Sequence, residues 1–303
     1  MDKEKIFNHK IRNLFHTIVL IAGMGGLMAL LGYLMAGVTG IYWSVLLALG
    51  ILTFGQVSPK LILKIQKARA LSPYEAPELF DLIRELAYRA GLSNIPKLYY
   101  VPSRSLNAFA LGSKQDAYIG ITAGLINTLN MNEMAGVLAH EMSHIKNNDM
   151  RVMSIARLFH QITNSFSTIG KIMLFLSLPL LVFGYSPFSF VAILLLLFAP
   201  TISDLMQMAL SRTREFEADL DAARLTGDPN DLASALKKLD YYTTNPFTRL
   251  FGKANYPEAL STHPATKERV RRLMELYKTE NYHARTGYFK PNVRVIYPKV
   301  SAI

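Results

Sequence analysis

The stretch GVLAHEMSHIKNND, residues 136–149, places two histidines four positions apart, with a glutamate directly after the first. An apolar pattern of helical period precedes it, and the pair Asn130 and Glu133 resembles a capping box that begins a helix. On a helix, His140 and His144 project from the same face and can reach one cation. The stretch therefore predicts half of a metal site.

Glu141 lies next to the first histidine, where its carboxylate can approach a metal-activated water without occupying a coordination position. This is the arrangement that amide hydrolysis needs, because a bound zinc lowers the pKa of its water to about 7. The alternative is a helix that carries two surface histidines. Because the chain contains no cysteine, every further ligand must be a nitrogen or an oxygen.

A second segment, SRTREFEADLDAA (211–223), offers the missing ligand on another predicted helix, which Gly227 and Pro229 end. Glu215 and Asp219 are one turn apart on one face. One of these carboxylates could bind the metal while the other orients a ligand histidine. Taken alone, an acidic helix is more typical of a solvated surface.

The apolar residues indicate a membrane protein, because no Asp, Glu, Lys or Arg occurs between Arg12 and Lys60. That length suffices for two helices and a tight turn, which we place at 15–36 and 40–57. A cleaved signal peptide is the competing interpretation of the first span. Its apolar run is longer than such a peptide needs.

Two more spans are predicted at 166–184 and 188–208, joined by the turn GYSP (184–187). Lys171 and Asp204 would each cost about 2.5 to 3.5 kcal/mol at mid-bilayer, so we expect them at the interface or facing protein and water. A buried or re-entrant hairpin of one soluble domain is the alternative for these apolar stretches.

Lysines and arginines flank both predicted hairpins at their open ends and are absent from their turns, which places both termini inside. The chain then divides into an arm and hairpin (1–57), a first polar part (58–157), a second hairpin (158–210) and a second polar part (211–303). Both polar parts return to one side and can form one split domain. The net charge of +11 fits this topology and anionic lipid, and no nucleic-acid motif accompanies it.

The polar parts predict an α+β domain. Three short β-prone segments, KLYYV, NAFAL and AYIGI, begin at residues 97, 107 and 117 and suggest a small sheet. Upstream, a helix is predicted with Ser72 as its N-cap, Pro73 in its first turn and Gly91 after its last turn. Two amphipathic helices are predicted in the second polar part.

Four motifs together carry a family resemblance: NAFALG, HEMSH followed by Asp149, SRTREFEAD, and THPATKER. With them, the chain from about Ser72 to Leu273 resembles the HtpX-type integral-membrane zinc metalloproteases, whose superfamily also includes the CAAX prenyl proteases. The arrangement of two plus two apolar spans is similar as well. The family often has Gly-Asp where this chain has Asn148 and Asp149, which leaves the role of Asp149 open.

The resemblance implies one Zn²⁺ per chain and assigns roles that spacing alone leaves open. It implies that the metal ligands are His140, His144 and Glu215, that Glu141 is the base, and that Asp219 supports a ligand histidine. It also implies that His263 and Arg269 line the cleft, where His263 could donate to the developing oxyanion. An exposed strand can hold a peptide by β-augmentation, so the implied substrate-binding residues are Asn107, Ala108, Phe109, Ala110, Leu111 and Gly112. The alternative for this strand is a purely structural core strand.

The fold expected from these features is an α-helical membrane protein with a zincin-like α+β metalloprotease domain split around a transmembrane hairpin. The implied function is a membrane-embedded zinc endopeptidase in a bacterial-type inner membrane, with its protease domain and both termini cytoplasmic. Its implied partners are the lipid bilayer and polypeptides, in particular misfolded or damaged membrane proteins. The alternatives are a non-catalytic scaffold with structural zinc and a prenyl-protein processing protease, although the latter generally has more spans.

Overall fold

The computed structural model describes residues 3–54, 58–184, 190–244 and 266–278 of the chain. Its helices are α1 (Lys3–Phe54), α2 (Pro59–Ile65), α3 (Pro77–Ala90), α4 (Ala123–Thr128), α5 (Met131–Asn147), α6 (Asp149–Val182), α7 (Phe190–Thr226), α8 (Pro229–Thr244) and α9 (Thr266–Lys278). Its strands are β1 (Arg69–Ala70), β2 (Lys97–Val101), β3 (Ala108–Gly112) and β4 (Ala117–Thr122). The structure is thus mostly helical with one small sheet, as expected.

The chain forms two compact units, one of residues 1–56 and 151–213 and the other of residues 57–150 and 214–303. The finer prediction, a protease domain split around a membrane hairpin with boundaries at 57, 157 and 210, stays a prediction. Each unit is described by itself below.

In the first unit, α1 folds back on itself at Gly37, whose φ of 60° lies in the left-handed region that glycine adopts at little cost. The hydroxyl of Ser44 donates to the carbonyl oxygen of Met28 over 3.3 Å. A Cβ added to Gly32 or to Gly40 would meet the backbone carbonyl of the other glycine. The two halves of α1 are therefore antiparallel and closely packed. The turn between them lies at the end of the span predicted for 15–36.

Two described helices are long and apolar enough to cross a membrane, by length and composition: Asn13–Phe54 within α1 and Val191–Thr226 within α7. Large apolar side chains are exposed along both, such as Trp43 and Leu46 on α1 and Phe198 on α7. Helix α6 contains most of the span predicted for 166–184. Residues 185–187 of its predicted turn lie outside the described part of the chain.

The second unit contains the sheet, in the order β1-β2-β4-β3. Strands β2 and β4 are parallel, and β3 pairs antiparallel with β4 at the edge of the sheet. The predictions for 97–101, 107–111 and 117–121 are confirmed, each to within one residue at either end. Helix α5 packs against β3, which brings the histidine helix beside the edge strand.

Local side-chain chemistry begins α5 as predicted and also ends it. The Glu133 amide donates to Asn130 Oδ1 over 2.9 Å, and the Asn130 amide donates to Glu133 Oε2 over 3.0 Å. Asn148, with φ of 56°, ends the helix in the left-handed conformation that asparagine tolerates better than most residues. This capping box is worth about 1 kcal/mol and fixes the residue at which α5 begins.

The predicted start of α3 is wrong. The helix begins at Pro77 rather than after Ser72, although Gly91 ends it as predicted. Ser72 instead closes a local turn, since its amide donates to Glu75 Oε2 over 2.9 Å and its hydroxyl accepts from the Tyr74 amide over 3.3 Å. These hydrogen bonds compete with the helix and delay its first turn.

Gly136, one turn before His140, is expected to tolerate no side chain. A Cβ at this position would lie 2.5 Å from the Leu232 backbone nitrogen and 2.8 Å from the Asp231 carbonyl carbon, so α5 and α8 would have to separate. We expect Gly136→Ala to destabilise the fold by about 1 to 3 kcal/mol, measured as a lower Tm in detergent. Gly50→Ala is the matched control, because nothing lies within 4 Å of its added Cβ. Equal Tm values for the two variants would contradict this packing.

Candidate metal centre

Three side chains from two helices meet at one point in the second unit. His140 and His144 come from α5 and Glu215 comes from α7, and their ligand atoms all lie within 4.8 Å of one another. The two Nε2 atoms are 3.1 Å apart. Glu215 Oε2 is 3.4 Å from His140 Nε2, and its Oε1 is 3.5 Å from His144 Nε2. This is the convergence that the sequence analysis expects.

A carboxylate lies within hydrogen-bond distance of Nδ1 of each imidazole, on the side of the ring away from the other ligands. Asp219 Oδ1 lies 3.0 Å from His140 Nδ1, and Asp149 Oδ2 lies 2.9 Å from His144 Nδ1. In the neutral tautomer whose Nδ1–H donates to its carboxylate, each Nε2 keeps a lone pair that is directed at the other Nε2 and at Glu215. Asp149, whose role the sequence leaves open, thus lies behind His144 as Asp219 lies behind His140.

This donor set fits a divalent metal. Two imidazole lone pairs and a carboxylate that face one another within 3.5 Å repel unless a proton or a cation lies between them. Two nitrogens and one oxygen are the donors that catalytic zinc uses when it keeps one position open. Imidazole and carboxylate also accept other first-row metals, so the residues define a metal site more firmly than they define the metal.

Arg269 on α9 connects the two carboxylates of α7. Its Nε and Nη2 bind Asp219 over 2.8 and 2.6 Å, and its Nη1 lies 3.1 Å from Glu215 Oε2. Burial raises the pKa of Asp219, but the Arg269 charge and the His140 hydrogen bond outweigh it and lower that pKa. Asp219 therefore remains ionised and can accept a hydrogen bond from His140 Nδ1–H. The resemblance implies that Arg269 lines the cleft, and the structure places its guanidinium on these two carboxylates.

The other predicted site residues are distributed as follows. Glu141 is half-buried on α5, and its charge contributes to raising the pKa of Arg269. Asn107 immediately precedes the edge strand β3, and its amide donates to Thr122 Oγ1 over 3.0 Å. His263 lies outside the residues that the structure describes.

Arg214 is a residue of this network that the sequence analysis missed. Its Nη1 lies 3.3 Å from Asp149 Oδ1 and 3.6 Å from Glu217 Oε2. It directly precedes Glu215, so its position beside a candidate ligand was a usable signal. Which neighbour it meets depends on how α7 packs, and spacing along one helix does not reveal that.

The metal centre is expected to lose its ion in mild acid. Burial lowers the pKa of His144, but hydrogen bonds to Asp149 and Glu215 outweigh it and hold that pKa well above its usual value. The pKa of His140 is raised in the same way by Asp219 and Glu215, against burial and the Arg269 charge. Because these folded-state pKa values are raised, protons compete with the metal already above about pH 6.5, and affinity falls as pH decreases. Metal titrations between pH 5 and 8 measure this.

Asp149→Asn is the matched variant for this pH dependence. It removes one of the two carboxylate charges that raise the pKa of His144, so the acid-induced loss of metal should begin at lower pH. It also weakens the support of the imidazole, for which we expect about 10- to 100-fold lower metal affinity at neutral pH. An unchanged pH profile in the variant would contradict the role of the Asp149 contact.

A His-His-Glu cluster with a glutamate beside its first histidine is the arrangement that metallopeptidases use. The sequence model of peptidase family M48 matches residues 73–277. The chain therefore belongs to peptidase family M48.

The curated relatives extend this similarity to most of the chain. It is 34% identical over 286 residues to a protease HtpX homolog of Desulfatibacillum aliphaticivorans, covering 86% of this chain and 89% of that one. It is 34% identical over 303 residues to the HtpX homolog of Paraburkholderia phytofirmans, covering 92% and 99% of the two chains. The crystal structure of S. mikatae Ste24p is similar with a TM-score of 0.45 and 19% identity, covering 88% of this chain and 66% of that one.

Family membership confirms the activity class predicted above. The protein is a membrane metalloendopeptidase that resembles HtpX. The alternative of a non-catalytic scaffold is set aside.

Proposed function

We propose that His140, His144 and Glu215 bind one zinc ion per chain and that Glu141 is the general base of peptide hydrolysis. The observation that carries this proposal is the meeting of three ligand atoms within 4.8 Å, each imidazole being held from behind by a carboxylate. Zinc bound there supplies a Lewis acid that activates water and polarises the scissile carbonyl.

The protein's own side chains then move and hold the protons. Glu141 accepts the proton of the attacking water and delivers it to the leaving amine. Asp219 and Asp149 keep the Nδ1 protons, so that both Nε2 lone pairs remain available to the metal. Arg269 orients Asp219 and one oxygen of Glu215. Donation from His263 to the developing oxyanion rests on the family resemblance.

We propose that the substrate binds as an added strand along β3, with Asn107 to Gly112 as its binding residues. Two observations support this: β3 is at the edge of the sheet, and α5, which carries Glu141, packs against it. An extended polypeptide can pair with such an edge through main-chain hydrogen bonds. Unfolded chains present the extended conformation that this mode needs.

The membrane arrangement that we propose has hairpins within 1–57 and 158–210 and one protease domain made of 58–157 and 211–303. The fold-back of α1 at Gly37 supports the first hairpin. The lysines and arginines at the open ends of both hairpins favour a cytoplasmic protease domain and cytoplasmic termini in a bacterial-type inner membrane. In that position the enzyme would act in quality control of misfolded or damaged membrane proteins.

Metal analysis together with cleavage of casein by the full chain in detergent tests the chemistry. We expect about one zinc per chain, loss of cleavage after chelation, and recovery when zinc is added back. Cleavage that survives complete removal of metal would overturn the proposal. Cleavage of prenylated peptides without cleavage of casein would instead favour the prenyl-protein processing alternative.

A reporter fused after Ile303 tests the orientation. A reporter enzyme that works only in the cytoplasm should be active when fused at this position. A reporter that works only outside the cytoplasm should be inactive there. The opposite pattern would overturn the arrangement but not the zinc chemistry.

A further inference from the structure

Helix α2 exposes an apolar face immediately after the α1 hairpin. Leu61 and Ile65, four residues apart, lie on one face of the helix and are 53% and 68% exposed. Leu63 lies on the opposite face and is 4% exposed, so that face of the helix is buried. This seven-residue helix therefore buries one leucine and presents two large apolar side chains outward. Within the described structure, the outward face has no partner.

Lysines border this face. Lys60 and Lys64, also four residues apart, lie on the strip next to Leu61 and Ile65, and Lys67 follows the last turn. None of the three forms a salt bridge with a described residue. Lys60 acts only at longer range, as the smallest of several contributions that lower the pKa of Asp116. Apolar side chains flanked by free cations suit the boundary between acyl chains and anionic headgroups.

The backbone at Lys67 provides an independent observation. Lys67 has φ of 51° and ends α2 in the left-handed conformation, with the Ala68 amide donating to the Leu63 carbonyl oxygen over 2.9 Å. Glycine is the residue that this position favours, because a Cβ is strained there. Lys67 thus places a charge beside the exposed apolar face at a cost in backbone strain that glycine would avoid.

Chain connectivity limits where α2 can lie. Five peptide units separate Phe54, the last residue of α1, from Pro59, the first of α2. Even fully extended, they span at most about 18 Å. If the hairpin crosses the bilayer, α2 therefore begins within reach of the headgroup region on the side where the hairpin ends.

We infer that α2 lies in the membrane surface, with Leu61 and Ile65 at the acyl boundary and Lys60, Lys64 and Lys67 on the phosphates of anionic lipids. This inference rests on the membrane insertion that we propose for α1 and does not depend on peptidase activity. It gives the second unit its own lipid contact, separate from the membrane spans. Its partner class is an anionic phospholipid bilayer.

The chain contains no cysteine, so a single introduced cysteine can be labelled without background from other thiols. Full-length Ile65→Cys, carrying an environment-sensitive fluorophore, is reconstituted in nanodiscs of brominated phosphatidylglycerol, whose bromines quench nearby fluorophores. Leu46→Cys, 58% exposed on α1, is the control for the membrane span, and Tyr88→Cys, 81% exposed on α3, is the control for the aqueous surface. We expect quenching and a blue shift at position 65, as at 46, and neither change at 88.

The outcomes separate this inference from the proposed membrane arrangement. Quenching at position 46 without quenching at 65 overturns the lipid contact of α2 alone. Absence of quenching at 46 overturns the insertion of α1, and the inference falls with it. Equal quenching at 65 and 88 would show that the label senses lipid everywhere, and that result also overturns the inference.

Lys67→Gly separates a lipid role from a structural one. Glycine relieves the left-handed strain, so the variant should fold at least as stably and show an equal or higher Tm. In mixed nanodiscs of phosphatidylglycerol and phosphatidylcholine, both brominated, losing one lysine should lower the affinity of α2 for the anionic surface about fivefold, so half-maximal quenching at position 65 should need more phosphatidylglycerol. A raised Tm with an unchanged lipid requirement would assign Lys67 no part in lipid binding and would contradict the inference.

Discussion

Glu141→Gln is expected to bind zinc normally and to hydrolyse peptides about 10² to 10⁴-fold more slowly. Glutamine matches the size of glutamate but cannot accept the proton of the attacking water. The three ligand atoms come from His140, His144 and Glu215, so the substitution leaves the metal centre complete. Metal content and kcat, measured on the same full-length preparation, provide the two readings that this prediction needs.

The matched control is Glu85→Gln, the same isosteric change on α3. Glu85 pairs with Arg89 over 2.7 Å on a partly exposed helix face, away from the metal centre. Its removal should cost little stability, as is usual for such pairs, and should leave kcat unchanged. Undiminished cleavage by Glu141→Gln would show that another group is the base. Loss of zinc from that variant would instead show that Glu141 belongs to the metal site.

Glu215→Gln is expected to lose zinc at the concentrations that saturate the unmodified enzyme. Loss of a partner behind a ligand typically lowers metal affinity about 10- to 100-fold, and loss of a ligand's charge should exceed that range. Glutamine keeps an acceptor for Arg269 Nη1, which lies 3.1 Å from the native carboxylate, so the buried guanidinium retains its contacts. Zinc titration and Tm together distinguish loss of metal from loss of fold.

The control for this change is Glu217→Gln, two residues along the same helix. Glu217 Oε2 lies 3.6 Å from Arg214 Nη1, and Glu217 is not one of the three candidate ligands. We expect a smaller loss of zinc affinity than in Glu215→Gln. Excess zinc should partly restore cleavage in Glu215→Gln and should fail to restore it in Glu141→Gln. Equal affinities in the two α7 variants would remove Glu215 from the ligand set.

The sequence predicted elements best where local chemistry decides them. The capping box of Asn130 and Glu133 and the left-handed Gly91 were recognisable, because residues close in sequence form their defining contacts. The three short strands were recognisable from β-prone residues bounded by turn residues. The start of α3 was misplaced for a local reason too. Ser72 satisfied two patterns at once, a helix cap and a turn closed by Glu75, and the turn prevailed.

The network behind the ligands was harder to predict, because it depends on contacts between distant segments. Asp149 and Arg214 are 65 residues apart in sequence, and the ion pair between them requires the start of α6 to lie beside α7. Arg269 reaches Asp219 across 50 residues. No local periodicity indicates which partner a buried charge finds, since that depends on how the helices are rotated and offset against each other.

By itself, the sequence determined that His140 and His144 share a helix face, because a spacing of four residues matches one helical turn. It also placed Glu215 and Asp219 on one face of α7. Only the tertiary structure decided how the two faces meet: Glu215 approaches both Nε2 atoms, while Asp219 lies 3.0 Å from His140 Nδ1. The axial offset of α7 against α5 sets that division, since carboxylates one turn apart reach different atoms of the same ring.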